Sequence, residues 1–152
     1  MDERSRLIDD DRRPGDREGA YELLQRGTAL MRRRHHAQAA VVLERAARLE
    51  PGKGSILEAL GRAQFNAGDH IRSRESFERL LEVDPSSPYG HYALGMSLKR
   101  LHQLRPARTH MRLAVALDPH SPLYRSALAR LGPDPTADRP PRAVHLEPDE
   151  AG

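Results

Sequence analysis

Between Ala20 and Leu131 apolar residues recur every three or four positions, and short polar or proline-containing breaks interrupt them at regular intervals. Such spacing lines the apolar side chains along one face of successive helices. The clearest stretch runs from Gly54 to Pro85 and reads as two amphipathic helices hinged at Ala67-Gly68-Asp69. Leu57, Leu60, Gly61 and Phe65 face inward on the first, and Ser73, Phe77, Leu80 and Leu81 on the second. Gly68 supplies the left-handed residue that closes one helix, and Asp69 the N-cap that opens the next. Pro85 pushes the residue before it out of the α region and ends the hairpin.

A shift of 34 residues in either direction finds the landmarks again: Gly61 becomes Gly27 and Gly95, Ser73 becomes Ala39 and Ala107, and Pro85 becomes Pro51 and Pro119. The first hairpin carries Leu23, Gly27 and Leu30 on one helix, with Ala20, Tyr21, Leu24 and Met31 widening that face. Ala39, Val42, Leu43, Ala46 and Ala47 form the buried side of its second helix. The third opens at Ser87-Pro88, an N-cap followed by proline where no N–H is needed. Its Leu94, Gly95 and Leu98 are expected to pack against Ala107, Met111 and Ala114. Ser121-Pro122 starts one further helix by the same device, with Leu123, Ala127, Leu128 and Leu131 apolar and no partner helix after it. A lone last helix covers the open end of a stacked array. Glycine inside a helix costs ~1 kcal/mol relative to alanine, so the column Gly27, Gly61, Gly95 implies a close approach to the column Ala39, Ser73, Ala107.

Composition sets the limits of the domain. The ends, residues 1–19 and 132–152, lack a helical period and read as disordered tails flanking a domain at 20–131. There is no cysteine, which excludes disulfides and thiolate metal sites. No apolar run approaches the ~20 residues of a membrane span, and the charged start does not resemble a signal peptide. The expected compartment is the cytoplasm. Lys53 and Lys99 are the only lysines among 25 basic residues, which points to a GC-rich, bacterial genome. The net charge of +3 conceals a segregation: residues 20–131 hold 18 Lys and Arg against 10 Asp and Glu, residues 1–19 hold 5 against 7, and residues 132–152 hold 2 against 5. A basic body with acidic ends favours an acidic partner.

At these residues the chain resembles the tetratricopeptide repeat family, whose unit is a helix-turn-helix of about 34 residues. Units then run 20–53, 54–87 and 88–121, with a capping helix at 122–131. The landmark positions read Gly27-Ala39-Ala46-Pro51, Gly61-Ser73-Leu80-Pro85 and Gly95-Ala107-Ala114-Pro119. Arg26 and His91 depart from the family's large apolar columns, and its usual tryptophan is absent. The resemblance implies an all-α fold, a right-handed α-solenoid, whose first helices line a concave groove for peptides or proteins. Carried over position by position, the groove residues are Tyr21, Leu24, Thr28, Met31 and Arg32 in the first unit, then Ser55, Glu58, Arg62, Phe65 and Asn66 in the second. The third unit adds Tyr89, Tyr92, Met96, Lys99 and Arg100. Four cations against Glu58 make this groove basic, and tyrosine and arginine are the residue types enriched at binding hot spots. The positions at which chaperone-binding members clamp a C-terminal carboxylate carry Leu24, Thr28, Ala59, Tyr89 and Ala93, so the resemblance implies no such clamp.

Other chemistry finds little footing. Gly52-Lys53-Gly54-Ser55 follows a helix rather than a strand and lacks the G-x-x-x-x-G-K-[ST] order of a phosphate loop. None of the eight histidines forms a metal-binding pair at helical spacing, and no nucleophile elbow or cysteine nucleophile is present. The sequence therefore predicts neither enzyme nor cofactor nor metal. The rival to a protein partner is nucleic acid, met by Arg32 to Arg34 and by Arg72, Arg74, Arg105, Arg108 and Arg112 on the second helices. Three units and a cap approach the minimum for independent stability, compatible with a monomer or a weak homodimer.

Overall fold

The computed structural model describes residues 18–137. These form seven helices and no strand: α1 (Ala20–Arg32), α2 (His36–Leu49), α3 (Gly54–Asn66), α4 (His70–Val83), α5 (Pro88–Arg100), α6 (Leu104–Leu117) and α7 (Pro122–Ala129). Helices α1/α2, α3/α4 and α5/α6 are hairpins, each stacked on the next, and α7 packs on α6. The chain is thus an all-α solenoid of helix-turn-helix repeats with one closing helix.

Each hairpin is held by a side chain of the second helix entering a notch in the first. A methyl group placed on Gly27 would lie 2.5 Å from Leu43 Cγ, one on Gly61 2.7 Å from Phe77 Cζ, and one on Gly95 2.8 Å from Met111 Cγ. Leu43, Phe77 and Met111 are almost wholly buried as a result. Burying one such side chain contributes roughly 1.5–3 kcal/mol, more than the helix loses by having glycine there. The expected facing column of Ala39, Ser73 and Ala107 is also buried, but it is not what fills the notch. The small column brings the backbones together, and the large residue one turn further on occupies the space.

The central unit joins two cores. Ile56, Leu60 and Ala63 of α3 pack with Leu23, Ala39, Val42, Leu43 and Ala46, while Leu57 packs with Phe77, Leu80, Leu94 and Leu98. Polar residues enter this interior in bonded groups. Ser73 Oγ donates to the Gly61 carbonyl at 2.9 Å, Ser76 Oγ to Gln64 Oε1 at 2.6 Å, and Ser97 Oγ to the Ala93 carbonyl at 3.0 Å. Serine at position 73 is therefore compatible with a column otherwise filled by alanine.

Asp69, Ser87 and Ser121 cap their helices as their sequence contexts predict, accepting from the backbone N–H of Arg72, Gly90 and Tyr124. The three turns inside the hairpins share one geometry, with the same long reach-back bond from His35 to Leu30, Asp69 to Gln64 and Gln103 to Leu98, each at 2.9 Å. The left-handed residue is Gly68 in the middle turn (φ 84°), but Arg34 (φ 63°) and His102 (φ 59°) in the others.

At the edges the domain extends past the expected boundaries. Glu18 pairs with Arg26, and Leu23 N–H bonds to the Gly19 carbonyl. Residues 132–134, expected to open a disordered tail, lie against α6. Buried Arg108 donates to the Gly132 carbonyl at 2.7 Å, and Asp134 is approached by both Arg108 and Arg112. Thr136 donates to Asp134 Oδ1 through its hydroxyl and its N–H, and these bonds, ahead of the two arginines, hold the carboxyl below the usual range. The helix expected to reach Leu131 ends at Ala129. The remainder of both predicted tails, residues 1–17 and 138–152, falls outside the described residues.

Two stability predictions follow from notch and turn. Gly61→Leu is expected to abolish cooperative unfolding, and Gly61→Ala to lower the thermal midpoint, because overpacking costs about 1–3 kcal/mol against a helix-propensity gain of ~1 kcal/mol. An unchanged midpoint by circular dichroism in the leucine variant, or a raised one in the alanine variant, would contradict the notch. Arg34→Gly and His102→Gly are expected to stabilise by up to ~1 kcal/mol each, since a left-handed non-glycine residue costs roughly 1–2 kcal/mol and glycine returns part of that in chain entropy. A lowered midpoint in the double variant would show that those side chains contribute more than their backbone strain removes.

Candidate functional site

On the face formed by the first helices, a cleft opens between α3 and α5. Arg62, Phe65 and Asn66 stand at helical i, i+3, i+4 spacing on one wall, and Tyr89, Tyr92, Ala93 and Met96 on the other. Phe77, entering from α4 through the Gly61 notch, lines it from beneath. The cleft encloses about 240 Å³. A neighbouring cleft of about 230 Å³ lies between α5 and α7, lined by Tyr92, Met96, Lys99, Pro122, Leu123, Ser126, Ala127 and Arg130. Tyr92 and Met96 line both, so the two clefts adjoin at these side chains.

Aromatic rings run along this surface. Phe77 meets Tyr89 edge-on at 6.3 Å, Tyr89 lies 6.0 Å from Tyr92, and Tyr92 lies 5.3 Å from Tyr124 on α7. Arg100 sits 5.8 Å above the ring of Phe65, within range of a cation–π contact. Burial pushes the Tyr89 phenol up to about 12, with Arg62 opposing the rise and Glu58 adding to it. Burial, then Asp118, raises Tyr124 as well. Both phenols are therefore neutral at physiological pH and retain a hydroxyl that can donate and accept. The face thus combines apolar depth, neutral hydroxyls, one amide and guanidinium groups at its edges.

Of the residues expected at the groove, Arg62, Asn66, Tyr89, Tyr92, Met96 and Lys99 line these clefts. Phe65 lines the first cleft as well, Arg100 joins it through a cation–π contact with that ring, and Glu58 acts on Tyr89 and Tyr124 through space. The first unit is not brought into either cleft. Tyr21 is exposed and accepts from Gln25, Leu24 packs against the core, Thr28 donates to its own helix at the Leu24 carbonyl, and Arg32 is exposed. Sequence reasoning missed the contribution of α7. One more shift of 34 residues, from Tyr89, Tyr92 and Met96 to Leu123, Ser126 and Arg130, carries that signal. Phe77 could not be found that way, because it reaches the face from a second helix.

Four of the eight arginines proposed to meet phosphates have partners within the domain. Arg72 lies 3.7 Å from Asp69, Arg74 3.4 Å from Glu78 and Arg112 3.7 Å from Asp134, and Arg108 is buried against residues 132–134. Among the described residues no three metal-ligating side chains gather, and no helix is long and apolar enough to cross a membrane.

Known proteins place the fold. No curated protein matches the chain in sequence. Among solved structures, the first repeat domain of Spaghetti (RPAP3) bound to the HSP90 peptide SRMEEVD superposes with a TM-score of 0.71 at 13% identity, covering 74% of this chain and 89% of that one. MamA from Desulfovibrio magneticus RS-1 gives a TM-score of 0.72 at 22% identity, over 76% of this chain and 66% of that one. YrrB, described as having an unusual peptide-binding site, gives 0.70 at 21% identity over 72% and 57%. The family model of the tetratricopeptide repeat matches residues 24–89 and again 58–122. With the 34-residue period, the glycine notches and the stacked hairpins, that match makes this chain a member of the tetratricopeptide repeat family.

Proposed function

We propose that the furrow between α3, α5 and α7 docks a segment of a partner protein and that the chain works as a non-catalytic interaction module. The observation that carries this reading is the 240 Å³ cleft with Arg62 at its wall. Pockets for small-molecule ligands span roughly 300–1,000 Å³, so this one is sized for a single bulky side chain of a longer ligand. An extended peptide would seat an aromatic or branched aliphatic residue between Phe65, Tyr89, Tyr92 and Met96. Acidic residues on either side would meet Arg62 and Arg100, and beyond them Lys99 and Arg130. Acidic character is supported by this cation set, which Glu58 opposes and, near Tyr124, Asp118 also opposes. By analogy of fold, the Spaghetti domain holds a peptide with two glutamates and an aspartate. The clamp positions of this chain carry no lysine or asparagine, which favours an internal segment over a free C-terminus.

The test is capture of partners by the full chain, identified by mass spectrometry, beside an Arg62→Ala/Tyr92→Ala/Arg100→Ala variant. Hot-spot truncations each cost more than about 1 kcal/mol, so the variant is expected to lose at least tenfold in affinity for the dominant partner. Capture that survives alanine at Arg62 and Arg100 would sink the groove reading. Retention of RNA that falls steeply with salt would instead favour the phosphate-binding alternative.

A further inference from the structure

On the other side of α5, between Tyr89 and Tyr92 in sequence, His91 is buried to 8% exposure. Its Nε2 lies 2.8 Å from the Pro85 carbonyl oxygen, and its Nδ1 lies 3.0 Å from Nδ1 of His110 on α6. A carbonyl only accepts, so His91 Nε2 carries a proton. In the neutral ring Nδ1 is then an acceptor, and His110 must donate from its own Nδ1. The ring planes differ by 20° and the centroids are 5.3 Å apart. That separation exceeds the nitrogen–nitrogen distance by about the width of an imidazole ring, so the nitrogens point at each other head-on in nearly one plane. Two lone pairs converging on one metal ion would set the ring axes at an angle, with the nitrogens further apart, rather than end to end. The arrangement is that of a straight N–H···N bond.

Proton counting then decides what acid does. One added proton, on either ring, leaves a single N–H between the two nitrogens. A second sets N–H against N–H at 3.0 Å, and the bond cannot persist. We propose that the His91–His110 pair is a proton-operated latch, tying α5 to α6 and to the α4–α5 turn at neutral pH and releasing them in acid. Because Tyr89, Tyr92 and Met96 project from the same helix, release loosens one wall of the concave cleft.

The charged surroundings do not cancel this effect. Arg74, Glu78 and Glu82 of α4 line a cavity together with His110, and Arg74 is paired with Glu78. Arg108 and Arg112 of α6 are turned to Asp134, and Asp84 beside Pro85 accepts from Ser86. Burial, then the neighbouring His91, hold His110 below its ordinary value of 6.5. A histidine depressed in the fold binds protons less readily folded than unfolded. Its contribution to stability is complete above the ordinary value and is lost as pH falls through the folded one.

The test compares thermal midpoints of the full chain and of His110→Asn from about pH 7.5 to about pH 5, a range that spans imidazole titration. Asparagine presents an amide N–H near the place of Nδ1–H and does not titrate. The wild-type midpoint is expected to fall by roughly 5 °C more than that of the variant; parallel falls would overturn the latch. Imidazole nitrogen NMR on the wild-type chain tests it independently of any substitution. Nε2–H on His91 and Nδ1–H on His110 are expected at neutral pH, whereas two rings titrating independently near the ordinary value would refute the pair.

Discussion

The interaction on which the rest depends is the entry of one large side chain of each second helix into a glycine notch of its first. Leu43, Phe77 and Met111 occupy the notches at Gly27, Gly61 and Gly95. Because the notch fixes both distance and register within a hairpin, stacking of the next hairpin becomes a repetition of one geometry rather than a new packing problem. Helix α3 shows the consequence most clearly, since its opposite faces feed two cores at once. Stability in such an array is built from hairpins and the interfaces between neighbours, so a disturbance at the middle notch reaches both.

The notch also links packing to the concave surface. Phe77 is a core residue by burial, yet its ring is the floor of the cleft and the first member of the aromatic run through Tyr89, Tyr92 and Tyr124. A wall supported from beneath by a buried ring would limit the ordering cost of taking up the proposed ligand. Helix α5 then carries two kinds of chemistry on opposite sides, phenols toward the furrow and an imidazole toward α6. Several polar groups inside the domain are held by a partner: Ser76 by Gln64, His91 by His110 and Pro85, and Arg108 by the carbonyls of residues 132 and 133.

Much of the fold was legible because each element is encoded locally. Asp69, Ser87 and Ser121 announce helix starts by residue type, and Pro51, Pro85 and Pro119 announce stops, since capping and the proline constraint act within a few residues. The turns were less transparent. Arg34 and His102 occupy left-handed positions that no propensity suggests; only their alignment with Gly68 reveals them, because repetition of the hairpin imposes the conformation. His91, which departs from the family's apolar column, is accommodated by a partner 19 residues away whose side chain shares no helix with it. Arg108, assigned by its charge to solvent and phosphate, is instead buried by a segment whose composition suggested disorder.

By itself the sequence determined the period, the helices, the glycine columns and most of the side chains that line the cleft from α3 and α5, because all of these follow from spacing along a single helix or from a fixed 34-residue shift. The tertiary structure alone decided which of those residues share a cleft. It excluded the first unit, added α7, brought Phe77 up from the core and set two histidines nitrogen to nitrogen. The physical reason is that periodicity fixes the direction of a side chain about its own axis, whereas the meeting of side chains from different helices depends on the angle and distance at which those helices pack, and these are set by the summed shapes of everything between them.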